Sequence, residues 1–186
     1  MVTTQFTMAA ELLAMGSDAP YELIQGELIR VSPAGIKSNF VLSNIHGELF
    51  VFLRTNRLGR LSVAEGGFLL ETDPDTVVAP DVAFVANEHL PEVVPPRGYL
   101  AVRPELIVEV ISPTDERREI RMKRALYDRI AVPIVWWIDP QRETASIHIP
   151  GQEVKTIDRN GRLEGRDVLP GFSIALAEIL EKRESL

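Results

Sequence analysis

The chain of 186 residues has no cysteine, is only 6% aromatic, and carries just three histidines, His46, His89 and His148, far apart along its length. Without cysteine there is no disulfide framework and no thiolate zinc site, and the scattered imidazoles have no ligand spacing. Any bound metal must therefore be held mainly by carboxylates, which favours Mg2+ or Mn2+ over Zn2+. Nowhere do 18 uncharged apolar residues follow one another, and Met1 to Gly16 has no basic head leading into a long apolar stretch. No membrane span is expected, and the chain reads as a soluble cytoplasmic protein. A basic excess is missing too: 20 basic against 27 acidic residues leave a formal net charge of −7, which argues against a protein that coats nucleic acid by bulk electrostatics.

What the chain does have is a core. At 45% hydrophobic residues it is long enough for one domain, spanning residues 1–186, and short for two. Positive charge gathers locally at Arg54, Arg57 and Arg60 and again at Arg117, Arg118, Arg121, Lys123, Arg124 and Arg129. Such clusters are most often solvated faces, although they permit a phosphate ligand.

Apolar residues recurring at Val41, Ile45, Leu49 and Phe52 predict an amphipathic helix from Lys37 to about Thr55. Before it, Thr7 is placed to cap a short helix over Met8 to Met15, and Tyr21 to Val31 reads as a hairpin turning at Gln25-Gly26. Strands follow at Arg60 to Ala64, Gly67 to Glu71 and Asp81 to Val85, then a proline-rich loop over 86–104. Ser112-Pro113-Thr114-Asp115 has the composition of a helix start, with the helix running to about Ile130. Ile134 to Asp139 and Thr144 to Ile149 are strand-like, Asn160-Gly161 marks a hairpin, and Ala175 to Arg183 suits a terminal helix. Trp136 and Trp137 point to opposite faces of their strand, which assigns at least one of them to the core.

The seven-residue run Leu106-Ile107-Val108-Glu109-Val110-Ile111-Ser112 reads as a strand apolar at both parities with one carboxylate at its centre, so it is covered on both faces, and an ionised glutamate there costs several kcal/mol unless something pairs with it. Pro80-Asp81 introduces a second apolar strand in the same way. Two acids on two buried strands suggest a divalent-cation site formed by Asp81 and Glu109. In the helix that follows, Ile120, Lys123, Tyr127 and Ile130 share one stripe, so Lys123 points to the apolar side. Its stem can pack while the ammonium snorkels to water, or the ammonium can reach back to the acids. Glu27 and Glu65 are further carboxylates within possible reach of the cation, whereas Glu22 reads as a surface residue of the first hairpin.

These residues in this order, Pro80-Asp81, Glu109 before Ser112-Pro113, Lys123 and Tyr127, Val132-Pro133, and Trp137-Ile138-Asp139-Pro140, resemble the Uma-type restriction endonucleases, a branch of the PD-(D/E)XK nuclease superfamily. The resemblance extends from Tyr21 to Phe172. It implies an α/β (α+β by some schemes) restriction-endonuclease-like core, a mixed sheet flanked by helices in the order αβββαβ. It also implies a metal-dependent endonuclease acting on nucleic acid, DNA before RNA, with Mg2+ or Mn2+ on Asp81 and Glu109 and a lysine assisting the attacking water. A homodimer is expected on the same ground. Two departures stand out. The superfamily lysine belongs two residues after the acid, where this chain has Ile111, and Lys123 on the next helix takes its place. Ser38 stands where many relatives carry histidine.

Two rivals remain in view. A carboxylate-pair glycosidase would use Asp81 and Glu109 as acid and base, but such enzymes work in aromatic-lined clefts. A nuclease fold that has lost its chemistry would serve as a binding or assembly module. No helix-turn-helix or zinc-finger motif supplies recognition.

Overall fold

In a computed structural model, residues 7–16, 19–64, 66–94, 96–115 and 117–180 are described. The buried strand inferred around Glu109 is β7 (Leu106–Val110), every residue of which is buried. It lies inside a six-stranded sheet of order β10-β9-β8-β7-β6-β3. The partners are β3 (Gly59–Val63), β6 (Val82–Ala86), β8 (Ile134–Asp139), β9 (Thr144–His148) and β10 (Lys155–Ile157). β3, β6 and β7 run antiparallel in turn, while β7 and β8 are parallel and joined by helix α3 (Arg117–Arg129). With α2 (Ile36–Asn56) ahead of β3, the order αβββαβ is present, and a hairpin of β4 (Phe68–Glu71) and β5 (Thr76–Val78) is inserted between β3 and β6.

The period of two divides the sheet into two faces. Val82, Phe84, Val108, Val110, Trp136 and Ile138 meet Val41, Ile45, Leu49 and Leu53 of α2 on one side. Ile107, Val135 and Trp137 meet Leu126 and Tyr127 of α3 on the other. Both tryptophans are therefore core residues. A second, antiparallel sheet of order β2-β1-β5-β4 contains the N-terminal hairpin β1 (Tyr21–Ile24) and β2 (Glu27–Arg30), and it closes over the α3 face through Ile24, Ile29 and Val78. Gln25 and Gly26 both have positive φ, the requirement of the tight turn expected there. The described part closes with a small sheet of β11 (Arg162–Glu164) and β12 (Ser173–Ala175) followed by α4 (Leu176–Leu180), which lies on α2 where Asn44 Nδ2 donates to the Ile179 carbonyl at 3.0 Å.

Four local expectations are corrected. α1 (Ala9–Ala14) is entered at Met8 rather than capped by Thr7, whose backbone N–H is drawn instead to the Gly26 carbonyl. Ser112-Pro113-Thr114-Asp115 forms a turn and α3 starts at Arg117: the Ser112 N–H donates to Asp115 Oδ2 at 2.7 Å, closing the loop on itself before any helix begins. Asn160-Gly161 does turn the chain, but β10 pairs with β9 and β11 with β12, so the two flanking strands never form a hairpin. β5, three buried residues, was not expected at all, and of the proposed 175–183 helix residues 181–183 lie outside the described part.

Candidate active site

Between the two sheets and α1 lies a cleft of about 970 Å3 whose wall includes Glu22, Asp81, Glu109 and Lys123. Strand register explains the pairing of two of these. Val82 sits opposite Val108 in the β6–β7 ladder, and extending that register by one residue sets Asp81 opposite Glu109. At this end of the ladder Asp81 Oδ2 accepts the Val110 N–H at 2.7 Å, so a side chain completes the pairing that the backbone leaves off. Both acids share the parity that faces α3.

From α3, Lys123 is buried and its Nζ lies 3.3 Å from Glu109 Oε1. Tyr127, one helical turn on, donates its hydroxyl to the same oxygen at 2.6 Å. The stripe that aimed Lys123 inward thus brings both groups onto one carboxylate. The ammonium does not snorkel to water.

The second sheet adds an acid that the sequence reading had assigned to the surface. Glu22 of β1 is buried; its Oε1 lies 3.0 Å from Lys123 Nζ and accepts the Ala79 N–H at 2.9 Å, while its Oε2 is buried with no hydrogen-bond partner. The overlooked signal was the same as for Glu109, a carboxylate inside a short strand buried at successive positions. Glu27, by contrast, is half exposed and turned onto Arg118 at 2.6 Å, away from these acids. Glu65 lies outside the described residues. Ile111, in the place of the superfamily lysine, donates its N–H to the Ile138 carbonyl and packs on the α3 side of the core. Ser38 spends its hydroxyl on the Ile111 carbonyl at 3.0 Å, tying α2 to the end of β7.

Among the described residues, the buried charges of Asp81, Glu22, Glu109 and Lys123 do not balance. Burial, with Asp81 and Glu22 nearby, pushes the Glu109 carboxyl up to about 8 against the pull of Lys123 and Tyr127. Burial also raises Asp81, against the Val110 N–H and Lys123, and Asp115 and Glu22 raise it further. Burial opposes the Lys123 charge, yet Glu109 and Glu22 outweigh it and hold the ammonium firmly protonated. Glu119 adds another carboxylate 4.0 Å from Nζ. One ammonium facing Asp81, Glu22 and Glu109 among the described residues leaves negative charge that a proton or a cation offsets. Among the described residues, no three Asp, Glu or His side chains enclose a metal position by themselves. Mg2+, which retains several waters and takes only one or two carboxylates, fits such a partial set of hard oxygen donors, and the orphaned Glu22 oxygen fits a water of its shell.

A mixed sheet in αβββαβ order, with acids at the facing ends of two neighbouring central strands, defines a restriction-endonuclease-like fold. Residues 8–177 match the family model Uma2, described as "Putative restriction endonuclease", and the chain belongs to that family. Among solved structures it is similar to one described as a putative nuclease belonging to DUF820 from Anabaena variabilis ATCC 29413, with a TM-score of 0.77, 18% identity, and coverage of 93% of this chain and 97% of that one. No curated protein matches the sequence.

Proposed function

We propose that the protein is a divalent-cation-dependent endonuclease that hydrolyses phosphodiester bonds of nucleic acid, DNA in the first instance. The observation that carries this reading is the contact of Lys123 with Glu109 at 3.3 Å on the wall of an acidic cleft that Asp81 also lines. Asp81 and Glu109 would hold Mg2+ or Mn2+, which when bound polarises a phosphoryl oxygen and lowers the pKa of a coordinated water. Lys123 orients the attacking water and offsets charge that builds on the phosphoryl oxygens as the water oxygen bonds to phosphorus and the bond to the leaving sugar oxygen breaks. Tyr127 fixes the Glu109 carboxylate, so that its free oxygen keeps one direction. Glu22 anchors the lysine from the opposite sheet.

Incubation with plasmid and single-stranded DNA in Mn2+ should yield nicks and breaks that disappear in Asp81→Ala, Glu109→Ala and Lys123→Ala. Cleavage persisting in all three variants would sink the assignment. Calorimetric titration that finds a cation site lost in Asp81→Ala and Glu109→Ala, with no cleavage by the wild type, would turn the reading to a nuclease fold retained as a binding module.

A further inference from the structure

α2 has an outer face that no described part of the chain covers. Val41, Ile45, Leu49 and Leu53 bury its inner side. On the helical period the outer stripe runs through Ile36, Phe40, Ser43, Gly47, Phe50 and Val51. Ile36 is 69% exposed, Phe40 64%, Phe50 49% and Val51 63%. Taking about 180 Å2 for a whole side chain of this class, the exposed portions amount to about 450 Å2, more than half of the roughly 800 Å2 per partner of a standard interface. Ser43, Gly47 and the stem of Arg54 lie on the same stripe and extend it. Glycine is costly in mid-helix, yet a Cβ added at Gly47 would meet nothing within 4 Å, so none of the described residues requires it. A small residue flanked by large apolar ones suits the close approach of a second helix.

The stripe is also arranged symmetrically, apart from Val51, whose counterpart about Ile45 is Asn39. Phe40 and Phe50 stand five residues to either side of Ile45, Ser43 and Gly47 two, and Ile36 and Arg54 nine. An antiparallel copy of the helix turned about a two-fold axis at Ile45 therefore sets Phe40 on the other copy's Phe50 and Ser43 on its Gly47, with Ile36 against the stem of its Arg54. Electrostatics favour this face as well. The chain repels itself through a net charge of −7, but only one of its 27 acids, Glu48, lies in α2, alongside Lys37 and Arg54. We propose that α2 is a self-complementary surface through which two copies of this chain pair antiparallel about a two-fold axis near Ile45.

Sedimentation velocity of the full chain should give a mass of two chains in the micromolar range. Phe40→Lys and Phe50→Glu, both at exposed positions, should keep the far-ultraviolet circular dichroism of the wild type and each weaken pairing about 30-fold or more. Mixing the two variants in equal amounts should restore the dimer, because the introduced ammonium then meets the introduced carboxylate while the remaining Phe50 meets the remaining Phe40. A wild type that stays monomeric overturns the proposal, including the case in which a terminal segment of the same chain covers the stripe. A dimer insensitive to both substitutions places the interface elsewhere, and a mixture that stays monomeric refutes the antiparallel register.

Discussion

Lys123 is the residue on which the buried acids depend, and its removal separates structure from chemistry. It faces Glu22 at 3.0 Å and Glu109 at 3.3 Å with all three side chains buried. Taking one partner from a buried ionic group leaves the remaining charges uncompensated, at about 3–5 kcal/mol. Lys123→Ala should therefore lose about that much in urea unfolding, and Lys123→Ala combined with Glu22→Gln should recover part of it, since the double variant removes the carboxylate that lies 3.0 Å from the ammonium. Recovery distinguishes a charge imbalance from a simple packing defect, which a second substitution would only deepen. Glu109 and Lys123 could be singled out from the sequence because each breaks a hydrophobic pattern, an acid in an apolar strand and a base on an apolar helix stripe. Glu22 broke a pattern only four residues long. Alternation in so short a strand does not say whether one face or both are covered: α1 covers the Leu23 face, and the Glu22 face is covered by α3, about a hundred residues further along the chain. Glu27 went the other way: its neighbours made it a candidate, but Arg118, distant in sequence, holds it at the surface.

Among the elements, the long helices and central strands were readable because their periods extend over many residues and their burial demands agree along the whole segment. α2 was placed to within a residue of its observed ends, and β7 to within two. The turn at Ser112 was misread because the same residue types cap helices and close turns, and the deciding partners, Pro33 and Gly35 on the Thr114 and Ser112 hydroxyls, lie some 80 residues away. β5 was missed because three residues carry too little pattern to show a period. The hairpin that contains it is tied to α3 by Glu71 and Arg129, whose Nε and Nη2 donate to the two carboxylate oxygens at 2.9 and 2.6 Å. The Arg129 hydrogen bonds outweigh desolvation and hold Glu71 below 4.5, the ordinary value for a glutamate, with help from the Thr76 hydroxyl. The unfolded chain takes up this proton at a higher pH than the folded one. The contribution is therefore complete above pH 4.5 and fades as pH falls through the depressed folded value. Exposure to solvent limits it to about 0.5–1 kcal/mol. Glu71→Gln should be less stable than the wild type by that amount at pH 7 and should lose the gap in acid, which chemical denaturation at pH 7 and pH 3 will read.

The molecule as a whole explains why the cleft is acidic at all. Its two sheets arrive at the site from separate parts of the chain, β1 with Glu22 from one and β6 and β7 with Asp81 and Glu109 from the other, and each adds burial to acids that the other supplies. That convergence is a property of tertiary packing, so composition could point to a carboxylate site without showing that the N-terminal hairpin closes it. Proteins accept such local instability where a ligand relieves it. A cation that binds only the folded chain stabilises it by about 2.7 kcal/mol at a hundred times its dissociation constant. Asp81→Asn keeps an oxygen to accept the Val110 N–H and removes a charge that burial disfavours. The metal-free variant should therefore melt at or above the wild-type temperature, while the rise that Mg2+ or Mn2+ brings to the wild type should vanish. Both parts are needed. A fall in metal-free stability would make Asp81 a structural ion-pair member, and a surviving metal response would place the cation elsewhere. A variant more stable without metal and deaf to it identifies a carboxylate held in place for what it binds, at the expense of the fold that buries it.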